Sequence, residues 1–162
     1  LNEKEWREKI SFTYIGNLPK NFIFKNVKVI EPLNTKPLSE ELRNHDIYIT
    51  ASQNEPGGNH QIEGISCGLP ILYRKSGCLP EYCYGFGVQF SNKEDFKSSL
   101  LKIIEEYNFW YEKNKNFDLC INNTIKSYIN LFESINSKKD DYELKRRLFR
   151  NPFIYLFNQI PL

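Results

Sequence analysis

With 162 residues, 40% of them hydrophobic and 26% charged, the chain has an ordinary globular composition and can bury a real core, as one domain or a large half of a two-domain protein. Its formal net charge of +2 makes no demand for nucleic acid as a partner, and no run of about 18 apolar residues is present to span a membrane. Leu1 stands first and methionine is absent, as expected of a piece of a longer protein; no signal peptide is visible.

In chain order, SFTYIG (11–16) reads as a buried strand, ended by Gly16 and the turn at Asn17–Pro19. NVKVIEP (26–32) is a second strand, stopped by Pro32. LSEELRN (38–44) reads as a short helix with Ser39 as its cap and Leu38 and Leu42 on one face. DIYITAS (46–52) is a third strand, and a helix beginning near Asn59 follows a glycine-containing loop. In that helix Ile62, Ile65 and Leu69 are expected to face a sheet, with Gly68 at the C′ position and Pro70 blocking continuation. PILYR (70–74) and GVQF (87–90) complete the strands. Ser91 and Glu94 then spell a capping box for a helix with Phe96, Leu100, Ile103, Ile104 and Tyr107 on one face. A further helix carries Phe117, Ile121, Ile125, Tyr128, Phe132 and Ile135 at near-helical spacing.

Strands rich in Ile, Val, Tyr and Phe that alternate with helices predict an α/β fold, a Rossmann-like parallel sheet flanked by helices. No internal repeat or low-complexity linker interrupts it. The expected organisation is one domain over 1–136 and a helical C-terminal tail over 137–162.

The stretch NEPGGNHQIEGISCGLP (54–70) carries the chemistry. In a parallel sheet, ligands bind at the carboxyl ends of the strands, near helix N-termini. DIYITAS delivers the chain to that edge, and Gly57 and Gly58 let the backbone approach a ligand closely. Free N–H groups at the helix start favour an anion such as phosphate, and Asn59 can cap the helix or present its amide to the ligand. Glu63 lies four residues after Asn59 on the same face, where a carboxylate can accept hydrogen bonds from vicinal ribose hydroxyls. Glu55, in the loop, can grip hydroxyls beyond the phosphates. Anion cradle and two polyol acceptors together suit a nucleotide diphosphate sugar.

The motif E55-P-G-G-N-H-Q-I-E63, followed by G-I-S-C-G68-L-P70 and SGCLPEYCYGFGVQF, resembles the donor half of GT-B glycosyltransferases. The resemblance covers about residues 11–107 and is to the retaining group with two glutamates separated by seven residues. It implies that the chain is the C-terminal half of a GT-B fold. By the same resemblance Glu55 contacts the transferred sugar and is the catalytic residue. Gly57, Gly58, Asn59 and His60 belong to the loop that meets the donor's sugar and phosphates. Glu63 binds the ribose, and Pro32 and Leu33 flank the base. Gly77 and Glu81 match a GG-x-P-E loop in which Cys78 replaces the second glycine. The family's diphosphate-clamping Lys or Arg has no match at the right spacing; Lys20 follows FTYIG, which looks like the second strand of the domain. The first β-α unit and the acceptor-binding domain are therefore expected to be missing, and the fragment alone to be inactive.

The family generally uses no cofactor and no metal, and no Asp-x-Asp cluster is present; Asp140 and Asp141 read as a solvated charge run. Four cysteines without a C-x-x-C pair, and His45 and His60 off ligand spacing to them, argue against a zinc site and suit reduced thiols in a cytoplasmic protein. Cys67 reads as packing rather than as a nucleophile. The expected partners are a nucleotide-sugar donor and, through the missing domain, a glycan or lipid-linked acceptor of bacterial surface polysaccharide synthesis. Lys145, Arg146, Arg147 and Arg150 beside FIYLF (153–157) fit either a solvated helix that packs on the missing domain or peripheral contact of 145–157 with the inner face of the membrane. A sugar-nucleotide epimerase-like enzyme and a non-catalytic nucleotide-sugar binding subunit are the alternatives.

Overall fold

A computed structural model describes residue 6, residues 8–117 and residues 121–139. The chain divides into two compact units, Leu1–Phe117 and Asp118–Leu162. In chain order the first unit contains β1 (Thr13–Ile15), β2 (Lys28–Ile30), α1 (Thr35–Leu42), β3 (Tyr48–Thr50), α2 (His60–Ser66), β4 (Ile71–Arg74), α3 (Leu79–Cys83), β5 (Gly87–Phe90), α4 (Lys93–Glu105) and α5 (Tyr107–Asn114). The second contains α6 (Ile121–Ser137).

All strand pairs are parallel, and the fold is α/β with helices flanking the sheets, as expected. Among the described residues the strands form two sheets: β1 pairs with β2, and β4 lies between β3 and β5. In the larger sheet Ile49 stands opposite Leu72, and Leu72 opposite Val88. Strand β4 is buried on both faces, which explains its unbroken apolar sequence. Its Ile71 and Tyr73 pack with Ile65, Leu79 and Cys83, against Tyr48, Phe86 and Phe117. Its Leu72 packs on the other face with Val88, Phe90 and Ile103, against Ile47, Ile49, Phe96, Leu100 and Trp110. Helices α2 and α3 thus cover one face, and α4 and α5 the other.

Several local expectations are corrected. Helix α1 starts at Thr35 with Asn34 at its N-cap position, because Pro37 fits a first helical turn. Ser39 is therefore inside the helix, where its hydroxyl donates to the Lys36 carbonyl at 2.9 Å. The capping box of α4 is Asn92 with Asp95, not Ser91 with Glu94. Asn92 Oδ1 accepts from the N–H groups of Glu94 and Asp95 at 2.9 and 3.2 Å, and Asp95 Oδ1 accepts from Asn92 N–H at 2.9 Å. Both pairs have the required spacing, but Ser91 N–H itself donates to the Asp95 carboxylate. Tyr107 opens α5 instead of closing α4, and Ile104 is 41% exposed while Ser99 is buried. Phe117 is not on the last helix; it packs edge-on against Phe86 at 4.9 Å.

The box yields a pH-dependent prediction. Hydrogen bonds from the N–H groups of Asn92 and then Ser91 hold the Asp95 carboxyl below its ordinary value. A carboxylate lowered in the folded state adds stability above the unfolded value of about 3.9 and loses it as pH falls through the folded value. The urea midpoints of the wild type and Asp95→Asn are expected to differ near neutral pH and to converge as the medium becomes more acidic than about pH 4. A difference that does not shrink there would contradict the assignment.

In the second unit, Ile125, Tyr128, Phe132 and Ile135 of α6 are each 46–63% exposed. No helix of the described residues is long and apolar enough to cross a membrane. Cys120 and the tail from residue 140, including the 145–157 segment, lie outside the described residues.

Candidate functional site

Two loops meet at the carboxyl edge of the larger sheet. One follows β3 and leads into α2; the other follows β4 and leads into α3. Asn54 N–H donates to Ser76 Oγ at 2.9 Å, and Cys78 N–H donates to the Glu55 carbonyl at 2.9 Å. Asn54 adopts φ 54°, a left-handed conformation that its short polar side chain tolerates. Gly77, at φ +55°, lies so near Glu55 that a β-carbon there would collide with the Glu55 backbone nitrogen and oxygen. The family-like loop containing Gly77 therefore holds the backbone of Glu55, and Glu81 is exposed in the first turn of α3.

The half-buried Glu55 side chain folds back over Gly58. A β-carbon on Gly58 would stand 2.9 Å from the Glu55 carboxylate and 2.9 Å from His60 Nδ1, whereas one on Gly57 would meet nothing within 4 Å. Gly58 thus makes room for the Glu55 and His60 side chains, and Gly57 keeps the outer side of the turn open. His60 opens α2, and its Nε2 lies 2.9 Å from the hydroxyl of Thr50, the buried last residue of β3. Asn59 occupies the N-cap position as expected, but with helical backbone angles and no capping hydrogen bond from its exposed side chain.

Glu63 is exposed one turn further on, its N–H donating to the Asn59 carbonyl at 3.0 Å. Its charge reaches Tyr48: burial first, and the nearby Glu63 carboxylate second, push the Tyr48 hydroxyl well above its ordinary value. Gly64 lets α2 sit directly on the Tyr48 ring, where a β-carbon would come within 2.6 Å of Cγ. Ile65 and Leu69 are buried as expected, and Ile62 is half-buried.

The structure thus brings Glu55, Gly57, Gly58, Asn59, His60 and Glu63 together on one loop and helix. Pro32 and Leu33 follow β2 in the other sheet, and no hydrogen bond joins them to residues 54–63. Sequence reasoning missed Thr50 and Gln61. A hydroxyl ending a strand at the ligand edge was a signal for Thr50. Gln61 is fully buried, its Nε2 donating to the Gly58 carbonyl, and only a fold could reveal that.

Two thiols lie outside this chemistry. Burial raises the Cys67 thiol and pushes Cys83 up to about 12, so neither is a thiolate near neutral pH. Among the described residues, no group of three or more His, Cys, Asp or Glu side chains is gathered as metal ligands are.

The fold and this edge define a class. The chain is similar to the catalytic domain of starch synthase IV from Arabidopsis thaliana, in a structure bound to ADP and acarbose. The TM-score is 0.51 at 21% identity, over 67% of this chain and 26% of that one. The fold is similar to part of a GT-B glycosyltransferase catalytic domain. More particularly, residues 19–121 match the family described as glycosyl transferases group 1, and the chain belongs to that family. It spans about a quarter of the length of the starch synthase chain. No curated protein matches it.

Proposed function

We propose that the whole protein is a retaining GT-B glycosyltransferase that passes a sugar from a nucleotide diphosphate sugar to a glycan or lipid-linked acceptor in bacterial surface polysaccharide synthesis. The residues of this chain hold the donor. The observation that supports this most is the placement of Glu55 and Glu63 on either side of a glycine turn at the carboxyl edge of the sheet, with the Glu55 backbone tied to the neighbouring loop.

In this reading Glu55 contacts the transferred sugar, and the turn at Gly57, Gly58, Asn59 and His60 meets the sugar and phosphates. Glu63 accepts the ribose hydroxyls, and Pro32 and Leu33 flank the base. The leaving diphosphate is stabilised by fixed N–H dipoles and by cationic side chains rather than by a metal or cofactor. Placing the acceptor hydroxyl against the sugar falls to another domain, so the isolated chain is nearly inactive. The donor-binding part is 1–136, and the tail from 137 serves contact with that domain or, through 145–157, with the cytoplasmic face of the membrane.

The test is a calorimetric titration of the chain with UDP, GDP, ADP and their sugars. Binding is expected for one base family, weakened about 10-fold or more in Glu63→Ala, the effect of losing a hydrogen bond to a charged acceptor. Binding that is indifferent to Glu63→Ala, or absent for every nucleotide, would overturn the assignment of donor binding to these residues.

A further inference from the structure

Thr50 ends β3 and is 4% exposed. Its hydroxyl oxygen lies 2.9 Å from His60 Nε2, and among the described residues that nitrogen is its hydrogen-bond partner. In a neutral imidazole one ring nitrogen donates and the other accepts. A proton on Nε2 would be donated to Thr50, and the buried hydroxyl's own proton would then have no acceptor, an unmade bond that costs free energy. With Nε2 bare, the hydroxyl donates to it and both groups are satisfied. The buried end of the strand therefore selects the ring with its proton on Nδ1.

Nδ1 lies toward the glycine turn. A β-carbon on Gly58 would stand 2.9 Å from Nδ1 and 2.9 Å from Glu55 Oε1, so the two groups flank one small space that Gly58 leaves open. Both side chains are half-buried. Among the described residues neither Nδ1 nor the Glu55 carboxylate has a hydrogen-bond partner, and they are not bonded to one another. A donor and an acceptor facing one space complement a group that accepts from the first and donates to the second. An alcohol hydroxyl does both. A phosphate oxygen would be repelled by the carboxylate, and a C–H group would leave both polar groups unpaired.

We propose that Thr50 is a positioning residue. Through its hydrogen bond it holds His60 in the Nδ1–H tautomer, and His60 Nδ1–H and the Glu55 carboxylate together hold one hydroxyl of the transferred sugar. The inference rests on the reading of Glu55 as the sugar contact. It adds a specificity: the site takes sugars with a hydroxyl at that position and discriminates against their deoxy counterparts. Thr50 acts through the imidazole and does not touch the sugar.

The first arm of the test needs no ligand. Long-range 1H–15N spectra of the imidazole rings, recorded on the full chain at alkaline pH, report which nitrogen carries the proton. His60 is expected in the Nδ1–H form in the wild type, to lose that preference in Thr50→Val and to regain it in Thr50→Ser. His45, the chain's other histidine, is the control: its Nδ1 lies 2.8 Å from the Glu41 carbonyl, which only accepts, and its signals are expected to stay unchanged. A wild-type His60 protonated at Nε2, or a tautomer indifferent to Thr50→Val, would overturn the proposal. If Thr50→Val fails to fold, the wild-type spectrum decides.

The second arm compares UDP-, GDP- and ADP-glucose with bare UDP, GDP and ADP, since glucose offers a hydroxyl at every free ring position. The ratio of sugar-nucleotide to bare-nucleotide affinity is expected to fall about 10-fold in Thr50→Val and in His60→Ala, and to recover in Thr50→Ser. A ratio that holds in both variants would overturn the hydroxyl role. Binding of no nucleotide by the wild type would overturn the donor-site reading and the hydroxyl role with it, whereas the spectra test the hold of Thr50 on His60 whatever the chain binds.

Discussion

Replacing Gly77 with alanine is expected to cost about 2–5 kcal/mol of folding stability and to weaken donor binding at the same time. The stability loss has two sources. A left-handed backbone costs a non-glycine residue about 1–2 kcal/mol, and a β-carbon at this position collides with the Glu55 backbone, forcing a shift of the kind that costs about 1–3 kcal/mol. The functional loss follows from where the shift goes. Cys78 N–H donates to the Glu55 carbonyl, so moving residues 77–78 moves the residue proposed to contact the transferred sugar. Urea denaturation and a nucleotide-sugar titration on the same variant check both halves. Weaker nucleotide-sugar binding with unchanged binding of the bare nucleotide would place the effect at Glu55 rather than at the ribose contact. A variant as stable as the wild type would show that the two loops do not hold one another.

Ile65→Ala is expected to lower stability by about 2–5 kcal/mol, the cost of emptying a fully buried aliphatic site. The helix around Ile65 has seven residues and depends on packing rather than on intrinsic helicity. Ile65 is the buried aliphatic side chain of that helix, set against Ile71, Tyr73, Leu79 and Cys83. Loss of this contact frees the segment that carries both His60 and Glu63. Ile125→Ala, at a position 48% exposed, is the matched control and is expected to change stability by no more than about 0.5 kcal/mol. Equal midpoints for the two variants in urea would contradict the burial argument.

The parallel α/β character was legible because the strands are short apolar runs bounded by Gly, Pro and Asn, and each run proved to contain a strand. Boundaries were less legible where several local readings were equally good. Ser91-Asn92-Lys93-Glu94-Asp95 contains two overlapping capping boxes, and propensity does not choose between them. Ser39 looked like a cap only because Pro37 was not counted within a first helical turn. Helix α3 escaped notice because five residues give no period, although Pro80 in its first turn was a cue. The loop-and-helix cluster of candidate site residues was visible from Glu55, the glycines and Glu63. What holds it was not: the approach of Gly77 to Glu55 joins residues far apart in sequence, and the Thr50–His60 contact depends on where a strand ends. The division of the strands into two sheets was likewise invisible, since a strand's own sequence does not name its neighbours.

Asn114 lies at the opposite end of the larger sheet. It is 2% exposed, and its side-chain amide donates to the Leu69 carbonyl at 2.7 Å and the Phe86 carbonyl at 3.1 Å, just ahead of β4 and β5. One side chain from α5 therefore pins the two strands at their amino ends, where Phe117 also locks onto Phe86. At the carboxyl ends the crossing ties described above run through loops. The sheet is thus anchored like a hand fan riveted at one end: beyond the rivet, the ladders as far as Arg74 and Phe90 and then the loop ties hold the strands.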